Sequence, residues 1–199
     1  MSRSVVGCGC LVAALVVGSL VIRPTRLIAQ SSAESSVVEQ DGASVATYAT
    51  DSREVKIGFK IAPVRLTFRP ADRELVGHGS YLVNAVGACN DCHTAQPYLD
   101  GGDPFQGQPE KINPATYLGG GVAFGPFTSR NLTPNADGLP AGISWADFKF
   151  TMTTGFDLSH AHPQISPYLQ VMPWPVYRNM KTSELRAIYA YLKAIPSVP

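Results

Sequence analysis

The stretch CNDCHT, residues 89–94, constrains this chain more than any other. Two thiols stand three residues apart, and an imidazole follows the second directly. All three must share one tight turn. A structural zinc site takes four ligands, usually with a second cysteine pair. The other cysteines are Cys8 and Cys10, inside an apolar N-terminal run, and His160 and His162 are too close together for the usual His-x3–5-His spacing. A thioredoxin-like dithiol belongs at a strand-to-helix junction, and nothing around residue 89 reads that way. Covalent haem attachment uses all three residues where they stand. Cys89 and Cys92 bond to the porphyrin vinyls, and His93 falls under the iron as an axial ligand. The spacing therefore predicts one c-type haem.

The N-terminus argues for export. MSRS is a short basic segment, and residues 5–22 form an apolar run without a charge. Arg23, Arg26 and the small residue Ala29 follow. Residues 1–29 read as a signal peptide or an uncleaved signal anchor. Arginine lies on both flanks, so the positive-inside rule does not orient the segment. The formal net charge is +1, so the chain lacks the basic footprint of a nucleic-acid-binding protein.

Residues 30–56 are rich in Ser, Ala, Thr and acidic groups with little periodicity, and read as a flexible linker. Residues 57–71 open on IGFKIAPVRLTF, whose apolar residues alternate with a phase change at Pro63. That pattern predicts an extended N-terminal extension lying across the domain. One further domain is then left over 72–199. Within it, Leu75, Gly79, Leu82 and Val86 define one face of a first helix, with Asp72 as its cap and His78 on its polar side. Gly77 and Gly79 each cost a helix about 1 kcal/mol against alanine. Close approach of another helix would justify them. Leu185, Ile188, Tyr189 and Leu192 mark a last helix, capped by Thr182 or Ser183 and ended by Pro196. ISWADFKFTMTTG predicts a helix between them, with Ser144 and Asp147 as a capping box and Gly155 as its stop. Ser166 and Pro167 suggest one short helical turn, which Pro173 and Pro175 forbid from continuing. Residues 94–127 carry seven glycines and five prolines and read as loop.

The second axial position decides the chemistry, because a thioether there closes the iron for electron transfer while an open site admits ligands. Met152 shares a helical face with Trp145 and Phe148, which assigns it to the core. Met172 sits between a short turn and the segment PWP, which fixes where its sulfur points. It is the expected distal ligand, with Met180, His160 or His162, and an open position as alternatives. An open distal side using His160 or His162 would make a haem enzyme or small-ligand sensor. A third reading is a structural haem subunit of a larger complex. There is no second Cys-x-x-Cys-His, which disfavours a dihaem peroxidase.

GSYLVNAVGACNDCHT, FGPFTSRNLTP and VMPWPVYRNMKTSELRAIYAYLKAIP together resemble class I c-type cytochrome domains. They are most similar to the monohaem modules of cytochrome subunits in bacterial membrane-bound dehydrogenases. The likeness spans about residues 72–199. It implies an all-α fold: helices wrapped round one covalent haem, with long loops and, here, an extended N-terminal segment. It implies that the first and last helices cross near Gly79 and Tyr191. It also implies that Met172 is the distal ligand and that Asn131–Pro134 packs beside the haem, with Arg130 near a propionate. In such proteins the haem is attached outside the cytoplasm. The implied protein is an electron carrier rather than an enzyme, in the periplasm or on the outer face of the inner membrane, with a membrane anchor if residues 1–29 are retained. It would pass single electrons between redox proteins, with a dehydrogenase subunit or a terminal oxidase among the candidate partners.

Overall fold

The computed structural model describes residues 52–157 and 166–199. The N-terminal run, the linker up to residue 51, and His160 and His162 lie outside the described residues. The described chain is mainly helical. Its helices are α1 (Ser52–Ile61), α2 (Arg73–Tyr81), α3 (Cys89–His93), α4 (Trp145–Thr154), α5 (Trp174–Tyr177) and α6 (Thr182–Ala194). A two-residue hairpin, β1 (Ala123–Phe124) with β2 (Phe127–Thr128), is the one sheet among the described residues. No described helix is long and apolar enough to cross a membrane.

Helix α2 sits between two others, and its glycines explain how. A Cβ on Gly79 would stand 1.9 Å from the Ala187 carbonyl oxygen and 2.8 Å from the Tyr191 Cβ. The α2–α6 crossing thus lies near Gly79 and Tyr191. A Cβ on Gly77 would meet Val55 of α1 at 2.6 Å, and one on Gly58 would meet the Gly77 carbonyl oxygen at 1.9 Å. Two helices approach α2 so closely that only hydrogen fits at either contact. The Ser80 hydroxyl donates to the Gly58 carbonyl across the same seam at 2.7 Å. Val76, Leu82 and Val83 bury against Leu185, Ile188, Tyr191 and Leu192 to form the core. Each such apolar side chain contributes about 1.5–3 kcal/mol when fully buried. On the other side of α6, Tyr189 packs edge-on to Trp145 of α4 and donates its hydroxyl to the Ile143 carbonyl.

Helix α1 overturns one expectation. Residues 52–61 are helical rather than linker and extended chain. Val55, Phe59 and Ala62 fall at i, i+4 and i+7 and face the core. This stripe straddles the boundary drawn at residue 56, so the shorter alternation of Ile57, Phe59 and Ile61 hid it. Residues 62–69 form neither helix nor strand, and the Thr67 amide donates to the Ala194 carbonyl at the end of α6. His78 is also corrected. It is 8 % exposed rather than a surface residue, with Nδ1 3.1 Å from a Glu54 carboxylate oxygen. Burial follows because α1 covers the side of α2 that carries His78.

Helix α4 begins and ends as its sequence indicates. Ser144 Oγ accepts the Asp147 amide, and Gly155 turns left-handed at φ 72°. Two caps differ. The Asp72 carboxylate binds Arg69 instead of the first amides of α2. The N-cap of α6 is Lys181, whose amide donates to the Glu184 carboxylate. Residues 166–171 form no helix; the short turn lies later, at α5, with Pro175 inside it. Proline is tolerated there because first-turn amides have no intrahelical partner to lose.

Candidate functional site

The CNDCH motif is itself helix α3, a single turn. After α2 the chain widens into a π turn over Leu82–Val86, closed by the Gly87 amide on the Leu82 carbonyl at 2.7 Å. Ala88 then adopts a left-handed conformation, φ 48°, ψ 36°, and α3 starts in a new direction. Non-glycine residues rarely hold that geometry, and local strain of this kind collects at functional sites. Cys89 is half-buried, packed against the core, and Cys92 is exposed.

A loop clamps the far end of α3. The Gly120 amide donates to the His93 carbonyl at 2.7 Å, and the Ala95 amide donates to the Gly120 carbonyl at 3.1 Å. Buried Thr94 gives its hydroxyl proton to Asn90 Oδ1 at 2.7 Å and accepts the Leu118 amide at 2.9 Å. Gly120 has φ 76°, and a Cβ there would lie 2.5 Å from the Asn131 amide nitrogen, so the clamp requires glycine.

The His93 ring is oriented by the chain. Its Nδ1 lies 2.8 Å from the Arg130 carbonyl oxygen. A carbonyl can only accept, so Nδ1 carries the proton and Nε2 carries the lone pair. Burial pulls the His93 pKa below its ordinary value, the Arg130 carbonyl opposes this, and the Arg130 charge adds to it. A neutral, fixed imidazole presenting Nε2 is what a metal ligand requires. The NLTP loop follows Arg130. Asn131 fixes it by accepting the Thr133 amide and hydroxyl and by donating to the Val198 carbonyl.

The Arg130 side chain makes an ion pair. Its guanidinium donates to Asp157 Oδ2 at 2.6 Å, with both side chains largely buried. The residue expected to face a propionate is thus ion-paired within the protein. Burial lowers the Arg130 pKa, and Asp157 works against that.

Beside Cys89 lies a buried polar group that no sequence motif announces. The Tyr117 and Tyr191 hydroxyls are 2.9 Å apart, and Asn84 bonds both. Asn84 also donates to the Ser80 carbonyl. Burial raises the pKa of both phenols, which therefore stay protonated.

Met152 is buried beside Phe148, as its place on α4 requires. Met172 and Met180 are both half-buried against the core. The segment carrying Met172 is tied at two points. Its start folds onto the end of α4: the Leu169 amide donates to the Gly155 carbonyl, and the Trp174 ring covers Gly155. Just beyond it, the Tyr177 hydroxyl donates to the Gly87 carbonyl at 3.1 Å, on the turn leading into Cys89. Burial raises the pKa of the Tyr177 phenol. The Met172 segment and the cysteine turn therefore meet through α5.

These features bear on the three chemistries of the motif without deciding among them. Among the described residues, no group of three or more His, Cys, Asp and Glu side chains converges to hold a metal ion. A redox dithiol needs a thiolate on one of its two cysteines. Burial, followed by the adjacent Cys92 and Asp91, pushes the Cys89 thiol up to about 12. Haem attachment asks for two cysteines on one turn and a fixed histidine offering Nε2, and the residues fit that request. Compared with protein-family models, curated proteins and solved structures, the chain shows no significant match.

Proposed function

We propose that this protein is an exported monohaem c-type cytochrome that carries single electrons between redox proteins. The observation that carries this reading is the geometry of His93. It closes the same helical turn that bears Cys89 and Cys92, and its Nδ1 proton is committed to the Arg130 carbonyl. Cys89 and Cys92 would hold the porphyrin by thioether bonds, and His93 Nε2 would ligate the iron. Met172 would supply the second ligand from a segment tied to the cysteine turn through Tyr177. When bound, the haem supplies reversible one-electron chemistry, and a His/Met pair raises its potential. The half-buried apolar side chains around Cys89 would keep water from that centre. Residues 1–29 support export, to the periplasm or to the outer face of the inner membrane.

Acid–acetone extraction followed by mass measurement tests the attachment. One haem should stay on the chain, and a haem-free polypeptide would end the reading. Met172→Ala should lower the reduction potential, abolish the weak near-infrared sulfur-to-iron band and let carbon monoxide bind the reduced form. If that band survives Met172→Ala and disappears in Met180→Ala, the distal ligand is Met180. If the unaltered protein binds carbon monoxide readily, the distal side is open and the carrier reading gives way to a ligand-binding one.

A further inference from the structure

The haem reading uses the Arg130 carbonyl and leaves the Arg130 side chain unexplained. Its partner, Asp157, is 3 % exposed and comes from another part of the chain. Gly155 reverses the backbone at the end of α4, Phe156 pairs antiparallel with Tyr168, and the Asp157 amide donates to the Pro167 carbonyl at 2.6 Å. The carboxylate is thus delivered to Arg130 by a braced turn. The Arg130 stretch is not a helix or strand. Its backbone is fixed nearby by the Ser129 amide on Val122 and the Leu132 amide on Leu118. The buried ion pair adds a fixed point on the residue whose carbonyl holds His93.

We propose that Asp157 is a positioning residue for the axial imidazole, acting through Arg130 in two ways. It holds the 130–131 peptide so that the carbonyl stays aimed at His93 Nδ1. It also compensates the guanidinium charge that shares a residue with that carbonyl. Both actions bear on the iron. A firm Nδ1–H···O bond makes the imidazole a stronger donor and favours the oxidised state. An uncompensated cation nearby favours the reduced state, which carries one positive charge fewer. Loss of Asp157 should therefore move the potential upward on both counts.

This inference rests on the haem reading, and the experiment separates the two. The full chain is prepared with its haem, and attachment is measured first. Absence of haem from the unaltered protein would sink the functional reading itself. With haem in place, Asp157→Asn should raise the reduction potential. By nuclear magnetic resonance of the reduced protein, its His93 Nδ1 proton should exchange with solvent about tenfold faster or more, because local opening becomes easier. Asp157→Glu should restore part of both. Arg130→Met combined with Asp157→Leu removes both charges and leaves no buried ion alone, so it serves if Asp157→Asn fails to fold. In that double variant the exchange should stay fast while the potential returns toward the unaltered value. Haem-loaded Asp157→Asn and double variants with unchanged exchange and unchanged potential would overturn the proposal and leave the cytochrome reading intact.

Discussion

At Gly79, one added carbon would stand 1.9 Å from the Ala187 carbonyl oxygen; at Gly101, in the long loop, it would meet nothing within 4 Å. The two glycines mark two regions built on different principles. In the first, α1, α2 and α6 touch backbone to backbone, and shape is the constraint. In the second, residues 94–142 have almost no regular structure and are held largely by hydrogen bonds, among them those that Thr94, Asn131 and Asn135 accept from the Leu118, Thr133 and Leu139 amides. Packing of the first kind fails abruptly, because helices cannot part locally without losing contacts along their whole length. Bonding of the second kind fails by increments of roughly 1 kcal/mol. The cysteine turn sits at the junction, with α2 leading into it and the loop clamping its exit.

Substitutions in the two regions should separate accordingly. Gly79→Ala forces α2 and α6 apart and should destabilise the fold by roughly 3 kcal/mol or more, the upper end for overpacking. Urea unfolding monitored by circular dichroism would show it, and a midpoint near the unaltered value would mean that the crossing is loose. Thr94→Val keeps the shape but strands the Leu118 amide and Asn90 Oδ1. About 1–3 kcal/mol is expected for buried polar groups left unpaired. An unchanged m value would assign the loss to the native state. Gly101→Ala meets no atom, but the backbone there has φ 70°, so the cost is the left-handed penalty alone, about 1 kcal/mol. If Gly101→Ala proved as damaging as Gly79→Ala, the distinction between the regions would collapse.

The same contrast governs what could be read from the sequence. That another helix meets α2 at Gly79 was legible because a costly glycine in a helix needs a close neighbour, and α6 had an apolar stripe; Tyr191 as the crossing point came only with the family resemblance. Ser144, Asp147 and Gly155 gave the ends of α4 because caps are local chemistry. That Cys89, Cys92 and His93 share one turn was legible for the same reason, because their spacing is local. Helix α1 was lost because its stripe of Val55, Phe59 and Ala62 is short and crosses the boundary drawn at residue 56. Its loss made His78 look exposed. Helix α5 was lost because Pro173 and Pro175 read as breakers, although a first turn accepts proline. The site's supports were the least legible. His93 meets the carbonyl of a residue 37 positions away, and backbone atoms leave no mark on composition. Arg130 and Asp157 are 27 residues apart, and Tyr117 and Tyr191 are 74 apart. No periodicity or motif links such pairs.

The helix crossings also set an order of assembly. The contact between Ser80 and Gly58 closes a loop of 22 residues, whereas that between Asn84 and Tyr191 spans 107. Chain-closure entropy alone makes the longer one about 1.4 kcal/mol harder to form. Contacts distant in sequence are the slow ones in folding. The α1–α2 hairpin is thus expected to form early and wait for α6 with Val76 and Val83 still exposed to water. During that wait the Tyr177 bond to Gly87 is unmade, so Cys89 and Cys92 stand accessible at the end of a hairpin already shaped to present them.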